Sequence, residues 1–287
     1  MSPKIGIIIG IIVSIVTIGI SLLYLQSNDL ESAENNTSII PKGTQIVQFD
    51  KHLFKMSGVE GENYVINEQG QRLWSSAKFA LKPEHKELYD QIGILNEPQN
   101  TVVIFPIFTS SAYEDGGFYD YYKGKCDSGC LTTSIIKTLR GEASGNGAQI
   151  LELLGYQLIT DVDVDKNPNI LGNYDKVILL HNEYVTRKEF YALTNHPNVI
   201  YLYPNALHAE ITVNYDENTI TLVRGHGYPT SAIQNGFDWE FDNSQYEYDR
   251  NCSDLKFYQI RNGWMLNCYP EIEIVQNSDL LKQIKDF

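Results

Sequence analysis

The sequence predicts an α/β domain on a doubly wound, mostly parallel sheet, with antiparallel β additions at both ends and one transmembrane helix in front. Three observations carry this. Short apolar runs at Val102–Phe105, Val177–Leu180 and Val199–Tyr203 are too short for helices and have the pattern of strands buried on both faces. Helix signals fall between them, which is the rhythm of βαβ units. After Pro204 the rhythm gives way to hairpin-like pairs of strands.

Ile5 to Leu25 carries no charge and has the length a tilted helix needs to cross a bilayer. A cleavable signal has a shorter apolar region and small residues before the cut. This run ends in Leu22-Leu-Tyr-Leu-Gln26, so it reads as a retained anchor. Lys4 precedes it and Asp29, Glu31 and Glu34 follow, which leaves residues 1–4 in the cytoplasm and the remainder outside. Residues 26–41 are polar and lack periodic apolar positions, as in a flexible stalk. The domain spans 42–287, with an α/β core at about 100–225 and a β-rich part at about 209–287.

Within the domain, Ile46–Phe49 and Tyr64–Ile66 read as strands and Pro83–Ile94 as a short helix. Pro106–Cys130 reads as a long loop rich in tyrosine. Ser144 or Asn146 can cap a helix over about 147–154 that Gly155 ends. Tyr156–Thr160 is the next strand, followed by an acidic loop at Asp161, Asp163 and Asp165. Thr186 and Glu189 have the spacing of a capping box, which starts a helix at about Arg187. Ala209–Asn214 and Thr219–Arg224 flank a turn, and Lys256–Ile260 with Gly263–Leu266 make a second strand pair.

A net charge of −14 repels phosphate backbones and argues against nucleic acid as a partner. The even set Cys126, Cys130, Cys252 and Cys268 suits two disulfides in an oxidising compartment. Four cysteines allow three pairings. Neither close pair has the Cys-x-x-Cys spacing of a thiolate metal site.

His181, Glu183 and Tyr184 follow a buried strand, where open α/β sheets place ligands. Glu183 can ligate a hard cation or act as a base, and His181 can move a proton near neutral pH. The alternative is a capping loop in which Glu183 gains only from the next helix dipole. Tyr113, Tyr119, Tyr121 and Tyr122 offer phenolate donors suited to ferric iron, or a packed recognition surface. The Asp161–Asp165 alternation lacks the glycine and distal glutamate of a calcium loop. His208 and His226 read as ordinary satisfied histidines. No Gly-x-Ser-x-Gly or Gly-x-Cys-x-Gly elbow is present, which disfavours a serine hydrolase or a cysteine-dependent amidotransferase.

Three ordered segments resemble the carboxy-terminal domain of the N,N-dimethylformamidase large subunit and its relatives, a branch of the class I glutamine amidotransferase-like, flavodoxin-like folds. They are Ser111-Ala-Tyr-Glu-Asp-Gly-Gly-Phe-Tyr119, the run from Leu154 through Asp163 to Asn173–Tyr184, and Asn205-Ala-Leu-His-Ala-Glu-Ile211. The resemblance covers about residues 100–225. It implies a mononuclear iron held by two tyrosines and a glutamate and used to hydrolyse a simple amide. Tyr113 and Glu183 match the ligand positions, His181 would shuttle a proton, and the second tyrosine has no upstream match. Asn182 stands where the family tends to have Asp, and Val185 where it has Trp. The alternative class of function is a non-catalytic cell-surface module that keeps the fold and binds a protein partner.

Overall fold

The computed structural model describes residues 44–47, 49, 51–136 and 143–287. The expected anchor at Ile5–Leu25 and the stalk at 26–41 lie outside the described residues. Among those described, no helix is long and apolar enough to cross a membrane.

The chain enters through small antiparallel pieces. β1 (Thr44–Val47) pairs with β2 (Lys55–Val59), β3 (Tyr64–Ile66) pairs with β4 (Arg72–Trp74), and β5 (Lys78–Ala80) returns to β2. The remaining strands are β6 (Thr101–Phe105), β7 (Thr132–Ser134), β8 (Gln157–Thr160), β9 (Lys176–Leu179), β10 (Tyr184–Thr186), β11 (Val199–Tyr201), β12 (Ala209–Asn214), β13 (Thr219–Arg224), β14 (Phe257–Ile260) and β15 (Gly263–Leu266). They sort into a six-stranded sheet, β14-β15-β11-β9-β6-β8, and a four-stranded sheet, β10-β12-β13-β7.

In the larger sheet β8, β6, β9, β11 and β15 are parallel and only the edge strand β14 is antiparallel. The fold is therefore mixed α/β with a mostly parallel sheet. Alternate residues of the central strands enter separate cores. Val103, Ile178 and Ile200 pack on one face with Ile150, Leu151, Leu280 and Ile284. Val102, Ile104, Val177, Leu179 and Val199 pack on the other with Val164, Leu193 and Trp239. Both faces are covered, which is why these strands are apolar at every position rather than at every second one.

Several local expectations need correction. The segment 106–130 is not one open loop: it holds helices Ile107–Ala112 and Phe118–Tyr122. The Asp161–Asp165 stretch is a helix, Asp161–Lys166, closed by a Thr160–Asp163 capping box, because alternating Asp and Val also suits an N-terminal turn that gains from its dipole. Ser144 precedes helix Gly145–Leu153 but makes no side-chain cap. The Asn146 N–H goes instead to Glu271 Oε1 at 2.9 Å. The carboxy-terminal part is not wholly antiparallel, since β15 joins β11 as the fifth parallel strand.

Other elements fall where the sequence puts them. The capping box of Thr186 and Glu189 starts helix Arg187–Asn195, and β12 and β13 form the expected hairpin. Disulfides join Cys126 to Cys130 and Cys252 to Cys268, so of the three pairings the chain uses the two between near neighbours. The second bridge pins the ends of the β14–β15 hairpin.

Gly263 fixes how closely β15 approaches β11. A Cβ there would lie 1.8 Å from the Val199 carbonyl oxygen, and that oxygen is backbone and cannot step aside. Gly263→Ala is expected to cost about 3 kcal/mol or more, read as a lower urea midpoint. An unchanged midpoint would show that this strand pairing is not in place.

Candidate functional site

Tyr113 and Glu183 come from neighbouring strands of the sheet. β6 and β9 lie side by side and parallel. From β6 the chain goes on to β8 on one side, and from β9 to β11 on the other. The crevice beyond two such strands is the usual ligand position in open α/β sheets. The turn after β6 runs into helix Ile107–Ala112, with Tyr113 at its end. The turn after β9 is Leu180–Glu183, which leaves the large sheet and enters the small one at β10.

A chain of hydrogen bonds sets the spacing of these two turns. Asp161 Oδ2 accepts the Phe108 N–H at 2.8 Å. One residue on, Thr109 Oγ1 accepts the N–H groups of Glu183 at 3.0 Å and Tyr184 at 3.2 Å. One helical turn further, the Tyr113 hydroxyl donates to Glu183 Oε2. On the far side, the Glu183 carbonyl accepts the N–H groups of His208 at 3.0 Å and Ala209 at 2.9 Å. Both the backbone and the side chain of Glu183 are thus held from two directions.

The Glu183 side chain is fully buried, and a buried carboxylate needs a compensating partner. His226 supplies it, with Nε2 hydrogen-bonded to Glu183 Oε1. His226 sits between Gly225 and Gly227 with φ of 51°, a left-handed backbone uncommon outside glycine. Burial alone would raise the Glu183 pKa. The facing His226 charge outweighs it, helped by His181 and the Tyr113 hydroxyl, and brings the pKa from 4.5 down to about 2. Burial likewise lowers the His226 pKa, but Glu183 carries it above the usual 6.5. Tyr113 is pushed well above an ordinary phenol, by burial first and the Glu183 charge second.

His181 Nε2 stands 3.9 Å from Glu183 Oε2, and its ring lies edge-on to Tyr269 at 5.3 Å. The Tyr119 ring meets Tyr113 edge-on at 4.6 Å. Tyr184 does not face the crevice. It is fully buried, with its hydroxyl 3.4 Å from that of Tyr122 and its ring 5.5 Å from His226. Tyr121 turns toward Tyr228 instead.

The sequence reading therefore named His181, Glu183 and Tyr113 as candidates, and the fold brings them together. It missed His226, which is no ordinary satisfied histidine, and it missed Tyr119 as a partner of Tyr113. The Gly-His-Gly at 225–227 was the available signal, since glycines on both sides of a histidine suit a backbone bent to aim it. His208 is the next link outward, with its ring 4.4 Å from His226 and Nδ1 3.3 Å from Asp242.

Three hard oxygen donors, Tyr113, Tyr119 and Glu183, stand in one group, and this set suits a hard cation such as ferric iron. Among the described residues, no three His, Cys, Asp or Glu side chains form a metal-holding cluster. A cation here would therefore depend on the phenols. A cleft of about 390 Å³ opens onto Tyr113, Tyr119, His181 and Tyr269, room for a small ligand.

Comparison with family models and with curated proteins gives no match.

The Glu183–His226 pair has a defined pH signature in metal-free protein. The depressed Glu183 pKa gives stability that is present above 4.5 and lost as pH falls toward 2. The raised His226 pKa gives stability that is present below 6.5 and lost as pH rises through its folded value. The pair therefore contributes fully between these limits. In Glu183→Gln, burial remains without the opposing charge, so the His226 pKa measured by NMR is expected to fall below 6.5. A value unchanged from the native protein would remove Glu183 as its partner.

Proposed function

We propose that this chain is a membrane-anchored, extracytoplasmic relative of the N,N-dimethylformamidase carboxy-terminal domain, with the class I glutamine amidotransferase-like fold, acting on the C–N bond of a small amide. The observation that carries the reading is the meeting of Tyr113 with Glu183. These residues match the family's ligand motif, lie 70 positions apart, and share one hydrogen bond at the crevice. Support for the fold comes from the strand order. Counted along the chain, the five parallel strands run 2-1-3-4-5, the flavodoxin-like order.

In this reading Tyr113, Tyr119 and Glu183 would hold iron. Tyr119 takes the place of the second tyrosine, although it lies downstream of Tyr113 rather than upstream. When bound, the iron supplies Lewis acidity to an amide carbonyl and to water. His181 can take or give a proton at Nε2 beside Glu183. His226 keeps Glu183 ionised and oriented, and Tyr269 and Tyr203 both pack against the His181 ring. The apolar stretch Ile5–Leu25 would hold the domain outside the membrane, a placement that suits two disulfides.

A second reading is a non-catalytic surface module. It is favoured by the closure of the Tyr113–Glu183–His226 network, which balances the Glu183 charge with no metal at all. The two readings part on metal content. The hydrolase reading expects about one iron per chain, with an absorption band from tyrosinate-to-iron charge transfer that Tyr113→Phe weakens and Glu183→Gln abolishes. It also expects hydrolysis of small amides. Purified protein with no metal and no band would sink it. The module reading expects Glu183→Ala to leave metal content and partner binding as they were.

A further inference from the structure

Two cations stand over aromatic rings on the walls of the crevice. Lys123 Nζ lies 5.7 Å from the centre of the Tyr119 ring, and Arg250 Cζ lies 5.6 Å from the centre of the Tyr269 ring. Both rings line the cleft that opens onto Tyr113 and His181, and both cations line it too. Among the described residues neither cation has a carboxylate within ion-pair distance, whereas Lys125 nearby is paired with Asp120. The chain as a whole has 36 acidic residues against 22 basic ones. Two cations without a carboxylate partner on one small cleft run against that balance.

The carboxylates of the same rim are placed differently. Glu247 is half-buried beside Tyr248, and Asp115 is exposed at the mouth. Tyr248 itself is 79% exposed, so a flat apolar surface stands beside the two cations. An aromatic ring beneath a cation limits where it can go while leaving its N–H groups free to donate. An arginine held in this way presents a planar fork suited to a carboxylate.

Taking the Tyr113–Glu183 site as the reacting centre, we infer that its ligand is a small amide bearing a free carboxylate, with the carboxylate gripped between Lys123 and Arg250 at the mouth and the amide lying inward toward Tyr113. The cleft volume of about 390 Å³ admits an N-acylated amino acid. Against the overall negative charge of the protein, the two cations give the cleft a local attraction for a carboxylate.

The test uses the full-length chain and three probes that share an acetamide: N-acetylglycine as its anion, neutral N-acetylglycinamide, and cationic N-acetylethylenediamine. Titration calorimetry is expected to give the anion roughly tenfold tighter binding than the neutral amide, the order of one charged hydrogen-bonding group. Lys123→Ala and Arg250→Ala should each remove most of that preference and leave the neutral amide unaffected. Both side chains are exposed, so the thermal midpoints should stay put. Added salt should weaken the anion alone, a measurement that needs no variant. Equal binding of anion and neutral amide, tighter binding of the cation, or a preference that survives in the double variant would overturn the inference. Anion preference without metal or hydrolysis would sink the hydrolase reading and leave the grip standing. Metal and hydrolysis without anion preference would do the reverse.

Discussion

A carboxylate buried away from water is the constraint around which the carboxyl edge of the sheet is organised. Moving a charge out of water costs several kcal/mol even after relaxation, and Glu183 lies at the junction where the chain passes from one sheet to the other. Its cost is offset by Tyr113 on one carboxylate oxygen and His226 on the other, while Thr109 holds the backbone in place. Each partner has its own requirement. Thr109 and Tyr113 must lie one helical turn apart, which fixes a helix where sequence alone suggests a loop. His226 must reach back from beyond β13, which requires the left-handed turn between two glycines.

The same edge holds polar groups that the protein leaves without hydrogen-bond partners among the described residues. Asn182 and Asn205 are buried with both amide atoms unpaired. Ser144, also fully buried, has φ of 59° and accepts the His181 N–H at 3.1 Å. Unpaired buried polar groups and left-handed backbone are destabilising, and they collect where a site needs them rather than where a core would. Asn182 has a further meaning beside Glu183. An aspartate there would bury a second negative charge next to the first. The neutral amide avoids that repulsion, which lets one histidine suffice for one carboxylate.

Val185 is fully buried in the core on the far face of the sheet, so its size bears on packing behind the site rather than on the crevice. Tyr119 offers a phenol from the helix that follows Tyr113. Tyr113 and Tyr119 in this way set two phenols beside one carboxylate.

The sequence by itself determined the central strands, because continuous apolar runs have no other low-energy home than a sheet covered on both faces. It also determined helix Arg187–Asn195, whose capping box is a local exchange of hydrogen bonds, and it located the junction at His181 and Glu183. Only the tertiary structure decided that β15 is a parallel neighbour of β11, since parallel pairing depends on distant backbone fitting past Gly263. It alone also decided that His226 is the partner of Glu183. Their 43 positions of separation leave no periodicity to read, and the attraction between a buried carboxylate and an imidazole exists only once the fold has removed the water between them.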